Sequence, residues 1–197
     1  MIDDLDATLE ALLKRELPAL VSPVTITFAA PDNDFPPSSV ALPAIDVFLY
    51  DVRENRELRL GDWQIEREAN GNFTRQRPPA RVDCSYLITA WTGSGGPNQG
   101  RDEHRLLSEA MQVLLRFPTL PPEVLQGTLQ TQDVPLPTST LQPGRLQSIA
   151  EFWQALGGRA KAVLHYTATI GVSPSGPLQL GPPVSDVVVT VSEGVPR

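Results

Sequence analysis

One cysteine, two histidines and a set of carboxylates are the side chains with which this chain could do covalent or acid–base chemistry. A thiol nucleophile would have to be Cys84, activated by His104 or His165, with Asp83 or Asp102 orienting the base; that set would make a small Cys-dependent hydrolase. The spacing speaks against it. Asp83 and Cys84 are neighbours in an alternating stretch, so they point to opposite faces of a strand. His104 falls near a helix start and His165 on the polar face of a strand, where neither needs a special role. Two histidines and one cysteine form no metal-ligand cluster at a usual spacing. Gly93-Ser94-Gly95-Gly96-Pro97 lacks the Gly-Lys-Ser/Thr ending of a phosphate loop and is not framed as a dinucleotide fingerprint. Neither G-x-S-x-G nor H-E-x-x-H occurs. Asn72-Phe73-Thr74 has the form of a glycosylation sequon, which carries no meaning without a secretory signal. Read this way, the chain is not an enzyme and needs no cofactor or metal.

Periodicity gives the elements that would position such groups. Asp3 to Leu17 is predicted helical: Leu5, Leu9, Leu12, Leu13 and Leu17 share a stripe, acidic residues open it and Pro18 ends it. Val24–Phe28 alternates as a strand with Val24, Ile26 and Phe28 inward. After a proline-rich connection, Pro31 to Pro43, a strand opens at Ala44. Ile45, Val47 and Leu49 form one of its faces and Phe48, Tyr50 and Val52 the other, so it is expected centrally in its sheet. Arg81–Trp91 is a second core strand, with Val82, Cys84, Tyr86, Ile88 and Ala90 on one face and Cys84 a small buried residue. Asp102–Phe117 is the strongest helix; Leu107, Ala110, Met111, Leu114 and Phe117 make its stripe, widened by Leu106, Val113 and Leu115. Thr119–Pro143 reads as irregular apart from a turn at Glu123–Gln126. Ser148 and Glu151 form a capping box for a short helix packing Ile149, Phe152, Trp153 and Leu156 inward and ending at Gly157-Gly158. Val163–Val172 alternates again. The pattern is α/β (α+β): a mixed β-sheet with helices packed on it, residues 1–172 forming one domain and 173–197 a Pro/Gly-rich arm with a short Val187–Val191 strand.

The surface signals are of another kind. The Ala44 strand runs into Asp51, Arg53, Glu54, Asn55, Arg56, Glu57 and Arg59, a path from core to outer surface. Such a run is either a solvated loop or a docking edge, since arginine forks suit ordered pairing with carboxylates. Trp63–Glu68 and Phe73–Gln76 flank Asn70-Gly71, a hairpin signal, and their polar composition makes the hairpin project. The terminal valines either pair within the chain or add to another subunit's sheet edge. Candidate interface residues are therefore Arg53, Glu54, Asn55, Arg56, Arg59, Arg67, Arg75, Val187, Val189 and Val191.

The totals bound the class of protein. At 197 residues, 41% hydrophobic and 20% charged, the chain can bury one ordinary core. A net charge of −7 argues against a nucleic-acid partner, because phosphate binding needs a positive field. The 20 prolines stiffen the long connections. A single cysteine excludes an internal disulfide and fits a reducing compartment. The N-terminus is acidic and amphipathic rather than a signal peptide, and no apolar run is long enough for membrane insertion, so a cytoplasmic location is expected.

Four segments in order, FLYDVRENRELR, PPARVDCSYLITAW, DEHRLLSEAMQVLLRFPTLPPEVLQG and EFWQALGGRAKAVLHYTATI, lie within a match running from about Asp3 to Val172. Over that span the chain resembles the cap, or tail-terminator, family of phage-tail-like extracellular contractile injection systems. The resemblance implies a tail-terminator-like domain forming a homo-oligomeric ring, a hexamer, that closes the distal end of the inner tube and contractile sheath. Its partners would be further copies of itself, the inner tube protein and the sheath protein. Longer members extend beyond this domain whereas this chain stops at Arg197, so no further anchor is carried over. A monomeric peptide-binding adaptor using an open sheet edge is the reading from a different class.

Overall fold

The computed structural model describes residues 1–17, 23–69, 71–93, 97–132, 134–142 and 148–181. Their order is α1 (Ile2–Glu16), β1 (Thr25–Thr27), β2 (Ala44–Glu54), β3 (Gln64–Arg67), β4 (Phe73–Gln76), β5 (Ala80–Trp91), α2 (Gln99–Arg116), β6 (Thr138–Thr140), α3 (Ile149–Leu156), β7 (Leu164–Val172) and β8 (Leu178–Gly181), with two short 3-10 turns between α2 and β6. The fold class is α+β. Contacts divide it into two units: Met1–Leu58 with Arg81–Val172, and Arg59–Ala80 with the chain from Ser173 onward.

The first unit is built on a five-stranded mixed sheet in the order β1-β2-β5-β7-β6. β1 runs parallel to β2, while β2 is antiparallel to β5 and β6 to β7. The central position belongs to β5; β2, expected there, is the next strand out, paired on both sides. One sheet face carries Ile45, Val47, Cys84, Tyr86, Ile88, Tyr166, Ala168 and Ile170 into a core with the leucines of α1 and with Leu106, Leu107, Ala110, Val113 and Leu114 of α2. Leu115, expected to widen that stripe, is 51% exposed, because the buried positions follow i, i+3, i+4 spacing and Leu115 lies off it. On the other face Phe48 meets Phe152 of α3, ring centroids 6.1 Å apart, and Phe35 of the proline-rich connection packs on Trp91 at 4.5 Å. Ser148 Oγ accepts from the Glu151 N–H and Gly157 closes α3 in the left-handed region at φ +67°, as the capping pattern requires. Of the four apolar residues assigned inward on α3, Ile149 is 37% exposed at the first position of the helix, and Trp153 is the one that is buried.

The region between α2 and β6 is more ordered than its composition suggests. Leu120, Val124, Leu129 and Leu136 are buried in the main core, and β6 forms an edge strand that the reading of Thr119–Pro143 as irregular missed. α1 holds this region: Asp4 Oδ2 accepts from both the Thr128 amide and hydroxyl, and Thr8 Oγ1 accepts from the Gln126 amide. Gly127, at φ +52°, runs so close to Asp4 that a Cβ there would sit 1.9 Å from its carboxylate oxygen. Only glycine fits.

β2 changes character at a β-bulge. Leu49 opposes Tyr86 and Asp51 opposes Ser85, leaving Tyr50 as the extra residue. The phase shift puts Val52 opposite Cys84, on the face of Leu49 rather than on that of Phe48 and Tyr50, where strict alternation had placed it. Val52 is 45% exposed, so the strand has left the core by that point.

The second unit is a three-stranded antiparallel sheet in the order β3-β4-β8. The expected hairpin is present, with Gly71 at φ +88° and the Glu68 amide donating to Asn72 O; Asn70 lies outside the described residues. β8, within the stretch taken as a proline-rich spacer, adds a third strand, with Leu178 opposite Arg75 and Gln179 opposite Thr74.

Asp46, on β2 beside Thr89, has no solvent exposure, and neither carboxylate oxygen reaches a hydrogen-bond partner among the described residues. Burial pushes its pKa up to about 8, only weakly opposed by the Val47 amide and Thr89 hydroxyl nearby. A carboxyl whose pKa rises on folding holds its proton more tightly in the folded chain. Its contribution is therefore most favourable below the unfolded value of ~3.9 and is lost as pH rises toward 8. Asp46→Asn should flatten that decline and raise stability at pH 8 by on the order of a few kcal/mol. Urea midpoints of both proteins at acidic and alkaline pH check this, and parallel slopes would exclude Asp46 as the source.

Candidate docking surface

The hydrolase set is not assembled. Cys84 is fully buried on the helix-facing side of the sheet, and burial raises its thiol to about 11, with the nearby Asp6 and Asp83 carboxylates adding to the rise. Asp83 points to the opposite face, where it accepts from Asn55 and from the Thr169 hydroxyl at 2.7 Å. His165 follows the same alternation: Tyr166 fills the core while the imidazole turns the other way, its Nδ1 without a hydrogen-bond partner among the described residues and its pKa lowered by burial. Its ring meets Tyr50 edge-on at 6.2 Å. His104 is exposed in the first turns of α2. Among the described residues no group of three His, Cys, Asp or Glu could hold a metal, and no helix is long and apolar enough to cross a membrane.

A cavity of about 210 Å³ lies in the first unit, lined by Ala90, Glu103, His104, Leu107, Ala160, Lys161 and Ala162. Its ammonium is committed: Lys161 Nζ is 2.8 Å from Glu103 and 3.7 Å from the centroid of Trp91. Desolvation lowers the Lys161 pKa, and the Glu103 contact acts against that shift.

The charged turn holds one residue bonded into the fold and several that are exposed. Asn55 is the structural one. Its amide nitrogen donates to both oxygens of Asp83 at 3.1 and 3.2 Å, its side-chain oxygen accepts from the Glu57 and Leu58 amides, and its own amide donates to Arg81 O. It thus shapes the exit from β2. Arg53 is exposed and paired with Asp51 at 2.8 Å, and Glu54 is exposed at the end of the strand. Arg56 and Arg59 are exposed.

In the second unit, Arg67 lies on the exposed strand β3, and Arg75 is stacked over Trp63 at 3.8 Å, with Arg77 over the same ring at 4.8 Å. Ile65, Arg75 and Leu178 are cross-strand neighbours, so they share one face. Ile65 and Leu178 are 61% and 55% exposed. Trp63 opens the hairpin expected to project, whereas Leu178 belongs to this surface and was not among the sequence candidates. The signal for Leu178 was the Leu-Gln-Leu alternation at 178–180, which the surrounding prolines and glycines masked. Val187, Val189 and Val191 lie outside the described residues.

A mixed sheet with α1 and α2 on one face and α3 on the other is the α+β fold of the tail terminators. The chain belongs to the family described as the Pvc16 N-terminal domain, whose model matches residues 4–186. It is similar to the sheath/tube terminator of the extracellular contractile injection system PVC, seen by cryo-EM in the extended state, with TM-score 0.70 and 26% identity over 99% of this chain and 64% of that one. It is also similar to the tube-terminating cap of the anti-feeding prophage, with TM-score 0.65 and 25% identity over 97% of this chain and 61% of that one. The chain thus spans less than two thirds of each of these proteins. No curated protein sequence matches it.

Asn55→Ala should cost ~1–3 kcal/mol, because it leaves Asp83 and the turn amides without their partner. Arg56→Glu should leave the urea midpoint within ~0.5 kcal/mol of wild type while weakening any contact this turn makes with a partner. Intact assembly by Arg56→Glu would remove the charged turn from the interface. The Cys84 thiol should resist a thiol-reactive dye until the chain unfolds, and Cys84→Ala should cost ~1–3 kcal/mol; fast labelling of the folded protein would contradict its burial.

Proposed function

We propose that the protein is the cap of a contractile injection system: a ring of six identical subunits that ends the inner tube and ties it to the sheath. The observation that carries this is the match over 99% of the chain to a sheath/tube terminator, beside the chain's own membership of the Pvc16 N-terminal domain family. The mechanism is stereochemical. One surface of each subunit meets a different surface of the next, the ring closes, and the growing end of the tube is removed. Attachment to the sheath then lets contraction act on the tube. The partners are further copies of the chain, the tube protein and the sheath protein, with the charged turn, the hairpin and the Val187–Val191 arm as contact surfaces. Cytoplasmic assembly is part of this reading and rests on the single cysteine, which suits a reducing compartment.

The test is to add the purified protein to assembled inner tubes and image them by negative stain. Density at one end only is the expected result. Decoration along the tube wall, or no binding, would overturn the cap reading. A free protein that is monomeric by light scattering would leave it standing, with the tube end acting as template.

A further inference from the structure

One face of the three-stranded sheet combines features that a solvated hairpin does not need. Ile65, Arg75 and Leu178 line up across three strands, and both aliphatic residues are more than half exposed. Trp63 stacks with Arg75 and Arg77 beside them, and Arg67 continues the same face two residues beyond Ile65. Gln64, Glu66, Thr74 and Gln179 fall on the other side by alternation, so the acidic residue of β3 is segregated from the arginines. Tryptophan, arginine and aliphatic side chains together have the composition of an interface centre. Stacking on Trp63 also holds the guanidinium of Arg75 in place, so less side-chain freedom is lost on docking.

Charge selects the occupant. The chain as a whole carries −7, and this face is cationic. Two such faces opposed about a two-fold axis would set arginine against arginine, which like-charge juxtaposition disfavours. The same face set against another region of a second, acidic copy gains in both charge and apolar burial. Closed rings require this kind of pairing between two different surfaces. We propose that the Trp63–Ile65–Arg75–Leu178 face is one half of a head-to-tail contact between copies of this chain and seats on an acidic surface of the next copy. The proposal rests on the ring reading above and assigns one side of its subunit contact.

The test uses the full chain and the double variant Ile65→Glu/Arg67→Glu, both at exposed strand positions. By light scattering at high micromolar concentration and low salt, wild type should run as a defined multiple of its 21.5 kDa chain and lose that mass as salt is raised. The variant should be monomeric with an unchanged circular dichroism spectrum. An affinity-tagged variant should still retain untagged wild type, because its acidic surface can receive the wild-type hairpin. A variant that keeps its oligomer overturns the proposal, as does a monomeric wild type. A monomeric variant that fails to retain wild type shows the face pairing with itself and also overturns it. Loss of tube-end binding by a variant that still forms rings would give the face to the tube or sheath protein, leaving the cap function intact. Failure of the wild type to bind tube ends is the separate result that would sink the cap function.

Discussion

Burial of β5 on both faces from Cys84 to Trp91 is the constraint on which the rest of the first unit depends. A strand covered on both sides needs two layers, and each has a different source. α1 and α2 supply a leucine-rich layer against Cys84, Tyr86, Ile88 and Ala90. α3 and the proline-rich connection supply an aromatic layer, through Phe152 on Phe48 and Phe35 on Trp91. The polar groups carried into this interior are bonded where geometry allows. Tyr86 donates to Asp6 at 2.8 Å, the Trp91 indole donates to Thr89, and the Ser85 and Thr167 hydroxyls meet at 3.2 Å. Asp46 is a buried carboxyl with neither oxygen bonded among the described residues, and neutralisation is the ordinary resolution for such a group.

The bulge at Tyr50 marks the border between core and surface. An extra residue on one strand twists it and resets its alternation. Past this point β2 stops presenting one apolar face to each layer and becomes exposed over Val52, Arg53 and Glu54, still held in register by β5. Asn55 then fixes the turn by bonding to Asp83 and to the amides that follow it. These bonds fix where the charged segment leaves the sheet.

This division of labour suits a protein that works by shape. Residues that look alike in composition have separate roles: Asn55 is consumed by the fold, Arg75 by Trp63, and Arg56 and Arg67 remain exposed. A surface whose arginines are held by neighbours meets a partner with less disorder to remove, so a modest area can specify one geometry. The small sheet adds sidedness, because alternation sorts its cationic and apolar residues from its acidic ones.

The sequence by itself determined what depends on local periodicity and chain chemistry. The leucine stripe of α1, the alternation of β5 and β7, the Ser148 capping box and Gly71 in the hairpin all state their own conformation, because side-chain direction repeats every 3.6 or 2 residues and caps act within one turn. The order of four segments also carried the family resemblance, and the family model covers the same stretch. What only the tertiary structure decided depends on residues far apart in the chain. Val52 changed face because a bulge resets the alternation, and a bulge is defined only against the partner strand. β6 and β8 are three and four residues long, too short to show a period, and exist through the strands they join. Asn55 reads as one more polar turn residue until Asp83, 28 positions away, is placed beside it. The docking face needed three strands brought into register before Ile65, Arg75 and Leu178 became neighbours, since only pairing across the sheet places their side chains on one surface.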